Sequence, residues 1–419
     1  MRVALISMHT SPLAVLGGKD TGGMNVFVRE IARELGRRNI AADVFTRSQG
    51  DWSLRLDPRL GPHVRVVHVT AGPDAPLPKA ALHAYVPEFV RWTCRFAEEQ
   101  GLRYDVIHAH YWLSGLVGEA LRACWGVPLV MTFHTLAALK NMAADQDQDM
   151  ESELRLRSEC HLCEAATLIT ASTQVEKTQL VRFYGAGSSR IRILHPGVDL
   201  ARFHPIEQGY AKSVIGVRPD QRVILFTGRI ERLKGVDTLL RAVALLRQQR
   251  PDWDWARVVV LIIGGDPSEQ GRAENREMRR LHELREALRL KEQVCFLGAR
   301  DQEALPYYYA AAEMLVMPSH YESFGMVALE AMACGTPVVA SDVGSLNVLV
   351  QHNKTGLRVK VNDPAELAEA IALLMDDPAR RRRMGRRAAC FADSYSWQVV
   401  CDRLLEVYDE ARRRHAQPQ

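Results

Sequence analysis

The stretch PSHYESFGMVALEAMACGTPVVAS, from Pro318 to Ser341, leaves few choices about the structure around it. It reads as a short loop, a helix opening near Gly325, a Gly-Thr-Pro turn and a buried strand starting at Val338. The helical segment FGMVALEAMA is apolar nearly all round, which marks a helix enclosed by its fold rather than one lying on a surface. Glu330 sits inside that run, and a buried carboxylate is costly unless a cation or a ligand's hydroxyls meet it. Glu322 lies eight residues earlier, in the loop before the helix. There, free backbone N–H groups and the helix dipole favour an anion such as a phosphate. Two carboxylates with a phosphate cradle between them suit a ligand that carries both hydroxyls and phosphate. An ordinary helix–strand unit with a satisfied core glutamate fits the same spacing.

A buried helix needs a sheet to lie against, and the chain supplies strands from its first residues. MRVALIS suits a buried parallel strand. The loop HTSPLAVLGGKDTGGMN follows, then the amphipathic helix VFVREIARELGRR and a strand containing Val44 and Phe45. This is the β-loop-α-β opening of a doubly wound α/β fold. Lys19 precedes Asp20, so no Gly-Lys-Ser/Thr phosphate loop is present. The glycines at 17, 18, 22 and 23 do not make G-x-G-x-x-G, and the second strand ends in Thr46-Arg47 without a ribose-binding acid, which argues against a dinucleotide dehydrogenase. What remains is a loop whose Gly22-Gly23 lets a ligand approach the backbone closely, or a long surface loop. Further strand ends carry polar groups: His108 and His110 followed by Tyr111, His134 followed by Thr135, and Ser172. Ligands gather at the carboxyl ends of such strands, although any one histidine taken alone is better explained by a structural role. No helical i,i+4 spacing groups them, so no metal cluster is expected. Cys160-x-x-Cys163 reads as packing. Lys79 and Arg155, taken alone, read as solvated side chains.

Linker chemistry is densest near 200–206, which predicts a first domain over 1–203 and a second over 204–395, with a terminal helix over 396–419 packing back on the first. The strand-loop-helix pattern restarts in RVILFTGRIERLKGVDTLLRAVALLRQQ, with Arg229 and Lys234 at a strand's carboxyl end. A cation pair there suits a diphosphate, and two exposed loop charges is the other reading. Arg300 ends a later strand. The length of 419 residues fits two domains, and 47% hydrophobic with 25% charged residues is the composition of a soluble globular protein. No apolar run is long enough to span a bilayer, and the N-terminus reads as a strand rather than a signal peptide, so a cytoplasmic protein without membrane contact is expected. Eight cysteines without regular spacing fit reduced thiols. A net charge of +4 suits small anions, and the basic run DDPARRRRMGRRAA lacks the aromatic platform a nucleic-acid surface would need.

Together, GRIERLKG, the Glu-x7-Glu stretch at 322 and 330 and the N-terminal GGMN loop resemble the retaining glycosyltransferases of family 4 over essentially the whole chain. That resemblance implies the GT-B architecture, two Rossmann-like domains facing across a cleft. Within the family, HTSPL, DTGGMNV, IHAHYWLSG, FHTLAALKN and ESELR are most similar to members that move N-acetylglucosamine from UDP-N-acetylglucosamine to 1D-myo-inositol 3-phosphate in mycothiol synthesis. By resemblance, Lys79, Tyr111, Thr135 and Arg155 would hold the acceptor phosphate. His9 and the segment Asp20, Thr21, Gly22, Gly23, Met24 and Asn25 would meet the ring hydroxyls. On the donor side, Gly23, Arg229 and Lys234 would bind the diphosphate, helped by the amides of Ser323, Phe324 and Gly325. Arg300 would lie near the uracil, Glu322 and His134 near the sugar, and Glu330 on the ribose. Catalytic roles would fall to His134, Arg229, Lys234 and Glu322. No cofactor or catalytic metal is implied, a backbone-held Mg²⁺ and a homodimer being compatible with the resemblance. Val15-Leu16 and GGDPSEQ depart from the usual wording, which leaves the donor sugar open. DTGG is shared with sucrose-phosphate synthases, so transfer to fructose 6-phosphate is the second reading and a sugar-nucleotide epimerase the third.

Overall fold

The structure is a computed structural model that describes residues 1–14, 21–50, 55–142, 150–265 and 276–417. Val15, Leu16, Lys19, Asp20 and the divergent wording from Asp266 onward therefore lie outside the described residues. The chain divides into two compact units. The first comprises Met1–Ala14, Gly23–His195 and the helix Trp397–Ala416, and the second Pro196–Ser396, with Thr21 and Gly22 grouped with it.

Among the described residues the first unit holds an eight-stranded sheet in the order β3-β4-β2-β1-β5-β6-β7-β8. Its strands are β1 (Arg2–Ile6), β2 (Ala41–Arg47), β3 (Leu56–Asp57), β4 (Val64–Val69), β5 (Val106–His110), β6 (Leu129–Thr132), β7 (Leu168–Ala171) and β8 (Ile191–Ile193). Every pairing is parallel except β3 with β4. Covered on both faces by helices, these strands are buried along almost their whole length, which is why they read as short apolar runs rather than as alternating ones. The helix Trp397–Ala416 belongs to this unit: Trp397 stands edge-on to Phe27 with ring centroids 5.6 Å apart, and the Tyr408 hydroxyl lies 2.8 Å from His108 Nδ1.

The second unit holds a six-stranded parallel sheet in the order β11-β10-β9-β12-β13-β14. These are β9 (Arg222–Thr227), β10 (Val258–Ile263), β11 (Val294–Gly298), β12 (Ala312–Met317), β13 (Val338–Ser341) and β14 (Gly356–Val359). The division falls between His195 and Pro196, ahead of the 203/204 boundary that linker composition suggested. Val198 and Phe203 explain the difference, since both are buried in the second unit's core and Val198 bridges to Ser396. In each sheet the order of strand connection reverses beside a central strand: β1 lies between β2 and β5, and β9 between β10 and β12. The loops leaving β1, β5, β9 and β12 therefore open at switch points, where a ligand finds a crevice outside the strand ends.

Candidate active site

In the first unit, the carboxyl ends of β5 and β6 carry two residues in unusual backbone conformations. Tyr111, directly after β5, has φ 77° and ψ 156°, a region almost confined to glycine, and His134 has φ 62°. Strain of this kind costs on the order of 1–3 kcal/mol and persists only where the surroundings enforce it. They do so here. The Tyr111 amide donates to the Thr132 carbonyl at 2.9 Å, and the Thr135 amide donates to the Phe133 carbonyl at 2.7 Å. The chain thus turns abruptly from strand into loop and places both residues at the carboxyl ends of these interior strands.

Around Tyr111 the structure gathers residues from four segments. The His9 ring lies 4.5 Å from the Tyr111 ring, the Arg155 guanidinium carbon 4.7 Å from it and the Lys79 ammonium 5.6 Å from it. Arg155 Nη2 donates to both the carbonyl and the hydroxyl of Thr135 at 2.9 Å. Burial, followed by the charges of Lys79, His134 and Arg155, holds His9 well below the ordinary histidine range. Carboxylates already occupy part of this cluster, since Arg155 pairs with Glu151 at 2.8 Å and Glu159 at 2.7 Å. Asn25 lies within the helix Gly23–Arg37 and is turned inward, its amide donating to the Thr10 hydroxyl at 2.7 Å and the Ser11 carbonyl at 2.8 Å. It pins the loop after β1. Gly23 opens that helix in an exposed position, with Thr21 and Gly22 preceding it and Met24 following.

His134 has a partner that sequence spacing did not supply. His110 Nδ1 lies 2.9 Å from His134 Nε2, and both rings are buried. The His108 ring lies 4.1 Å from that of His110, but its own nitrogens span Tyr408 and Thr132, 2.8 Å from each hydroxyl. Burial, and secondarily the neighbouring His108, push His134 down to about 3, so it stays neutral near pH 7 and one of the paired nitrogens carries the shared proton.

In the second unit, Lys234 and Glu322 meet between the loops after β9 and β12. Lys234 Nζ donates to Glu322 Oε2 at 2.6 Å. Burial pushes the Glu322 carboxyl up, but the charge and hydrogen bond of Lys234 outweigh it and hold the group below its ordinary range. The amides expected to cradle a phosphate face this carboxylate, Gly325 N donating to Glu322 Oε1 at a long 3.4 Å. The helix begins at Met326, with Gly325 at φ 65° as its cap, and Ser323 and Phe324 complete the loop. Glu330 is buried, and one oxygen accepts from the Tyr309 hydroxyl at 2.7 Å. A buried carboxylate announces the need for such a donor, but the run YYYAAAE gave no means of choosing which tyrosine. Arg229 pairs with Glu231 at 2.8 Å, and exposed Arg300 donates to the Tyr308 hydroxyl at 3.1 Å.

The two halves of the chain match two glycosyltransferase families: residues 21–202 match Glycosyltransferase Family 4 and residues 211–390 match Glycosyl transferases group 1. A D-inositol 3-phosphate glycosyltransferase 2 of Catenulispora acidiphila is 42% identical over 98% of this chain and 95% of its own length. A D-inositol 3-phosphate glycosyltransferase of Streptomyces scabiei is 41% identical over 99% of this chain and 92% of its own. Among solved structures, a sucrose-phosphate synthase of Thermosynechococcus elongatus aligns with a TM-score of 0.88 and 33% identity over 98% of both chains. The Anabaena protein Alr3699/HepE, solved with UDP and glucose, aligns at a TM-score of 0.76 over 98% of this chain and all of its own, and at 22% identity it shares the fold.

Proposed function

The chain belongs to the family 4 glycosyltransferases of GT-B fold that include the D-inositol 3-phosphate glycosyltransferases, and from that premise we propose that it transfers N-acetylglucosamine from UDP-N-acetylglucosamine to 1D-myo-inositol 3-phosphate with retention at the anomeric carbon. One observation supports the acceptor side of this reading: Lys79, Thr135 and Arg155 converge with Tyr111 in the first unit. A phosphate held there orients the acceptor, so proximity supplies much of the acceleration. His9 and the segment from Thr21 to Asn25 take the ring hydroxyls.

On the donor side, Arg229 and Lys234 neutralise the diphosphate, with Gly23 and the amides from Ser323 to Gly325 assisting. Glu330 takes the ribose, Arg300 the uracil, and Glu322 the sugar while it positions Lys234. The bond from the anomeric carbon to the diphosphate oxygen breaks, and the acceptor oxygen bonds to that carbon on the same face. The acceptor's proton passes to the departing phosphate oxygen. Neutral His134 lines the sugar and steadies the positive charge that develops at its anomeric carbon. In this reading the cations make a catalytic metal unnecessary, and retained turnover after exhaustive chelation tests that.

The deciding experiment is UDP release across a panel of donors and phosphorylated acceptors. Turnover with inositol 3-phosphate that falls sharply with unphosphorylated inositol is the expected result, and equal turnover of the two would overturn the reading. Preference for fructose 6-phosphate would establish the second reading, which the shared Asp-Thr-Gly-Gly and the likeness to a sucrose-phosphate synthase favour. Donor isomerised without any acceptor would mark an epimerase.

A further inference from the structure

Arg155 is 2% exposed, and all three of its guanidinium nitrogens are engaged. Nε donates to Glu159 Oε1 at 2.7 Å, Nη2 to the carbonyl and hydroxyl of Thr135 at 2.9 Å, and Nη1 pairs with Glu151 Oε1 at 2.8 Å. These contacts account for four of its five N–H donors, so a phosphate can be held by two of them only if one contact opens. The candidates differ in how firmly they are held. Glu159 is fully buried, and its second oxygen accepts from the Ala137 amide at 2.9 Å, so both oxygens are locked. The Thr135 carbonyl is main chain. The Glu151 carboxylate is 22% exposed, and Arg155 shares its Oε1 with Lys140. Its main chain is anchored separately, the Glu151 amide donating to Asn141 Oδ1 at 2.7 Å. The carboxylate can therefore rotate away while its backbone stays in place.

We propose that the Glu151 carboxylate is a displaceable internal occupant of the acceptor-phosphate subsite, and that Lys140, released when it leaves, is a further ligand of that phosphate. The proposal rests on the reading that Arg155 holds the acceptor's phosphate. A phosphate dianion brings more charge and more acceptor oxygens than a carboxylate, so it prevails in the exchange, whereas a neutral hydroxyl does not. Glu151 thereby makes the phosphate a condition of entry and not merely an aid to affinity. It also keeps Lys140 compensated in the free enzyme, where an unpaired ammonium would be repelled by the Arg155 guanidinium beside it.

The test uses the full chain and two readouts: calorimetric binding of inorganic phosphate, and the KM for inositol 3-phosphate in the UDP-release assay. Glu151→Gln keeps the shape and removes the competing charge. It should tighten phosphate binding and lower the acceptor KM by about fivefold, the equivalent of about 1 kcal/mol for a partly exposed ion pair. Lys140→Gln should raise that KM. Arg155→Gln separates the two layers of the argument. If it weakens phosphate binding while Glu151→Gln changes nothing or weakens binding too, the clamp stands and the displacement is wrong. If Arg155→Gln leaves phosphate binding unchanged, the clamp and the displacement both fall. Should Glu151→Gln lower the melting temperature markedly, Glu151→Asp, which draws the charge back by one methylene, must still lower the acceptor KM or the proposal fails.

Discussion

Lys234 and Glu322 compensate one another, and each would be costly alone. Their side chains are 16% and 12% exposed. Removing the lysine leaves a desolvated carboxylate, which typically costs about 3 kcal/mol or more. Lys234→Ala should therefore lower turnover by about two orders of magnitude or more, through lost stabilisation of the leaving diphosphate, and should also lower the melting temperature. Adding Glu322→Gln to that variant should recover stability but not activity. Near-normal turnover in Lys234→Ala would refute the catalytic role, and a double variant no more stable than the single one would refute the pairing argument. The linkage has a sign as well. Because the folded-state Glu322 is held below its ordinary range, its stabilising contribution is present above the unfolded carboxylate's titration and is lost as pH falls through the folded value.

Loops become precise where main chains touch. Gly235 follows Lys234 at φ 65°, and a Cβ there would overlap the Pro318 carbonyl oxygen. The His320 amide donates to the Leu233 carbonyl at 2.8 Å beside it. These contacts close the loop after β9 against the loop after β12 and thereby bring Lys234 to Glu322. Gly235→Ala should cost about 2 kcal/mol or more, combining left-handed strain with the overlap, and should raise the donor KM. Gly101 supplies the control: it shares the positive φ, at 61°, but a Cβ there meets nothing within 4 Å. Gly101→Ala should lose only the strain component and leave donor binding intact. Equal effects at the two glycines would show that the loop contact does not matter.

Over the whole molecule, acid sensitivity should be concentrated in the first unit. His9, His108, His110 and His134 are all buried there and all held far below the ordinary histidine value, chiefly by burial. His108 and His134 are pushed down to about 3. In the unfolded chain they protonate near pH 6.5, so unfolding takes up protons between these limits and stability rises with pH across that window. Acidifying below about pH 6.5 should therefore lower stability by about 1.4 kcal/mol per pH unit for each such histidine. Urea unfolding followed from pH 7 to pH 5 measures the slope, and stability independent of pH across that range would contradict the buried, neutral assignment. His108 also ties the terminal helix to β5 through Tyr408, so the same titration loosens that helix's contact with the first sheet.

The amino-acid sequence by itself determined the α/β alternation, the restart of the pattern in the second half and the two-domain fold, because short apolar runs and amphipathic periods are local properties that survive without a partner. It also located polar residues at strand ends, since a strand's last residue is legible from where the apolar run stops. Only the tertiary structure decided which groups meet. Lys234 finds Glu322 because β9 and β12 are neighbours in the second sheet, although 88 residues separate the two side chains. His110 finds His134 because β5 and β6 pair in register, with His110 opposite Thr132. Tyr309 reaches Glu330 from a different helix, and Arg155 is shared between Glu151 and Glu159 by its place in a single helix turn facing Thr135. Chain spacing records the i,i+4 pairs of Arg155 but not the others, because sheet order and helix packing fix those, and they determine what each charged side chain is free to do.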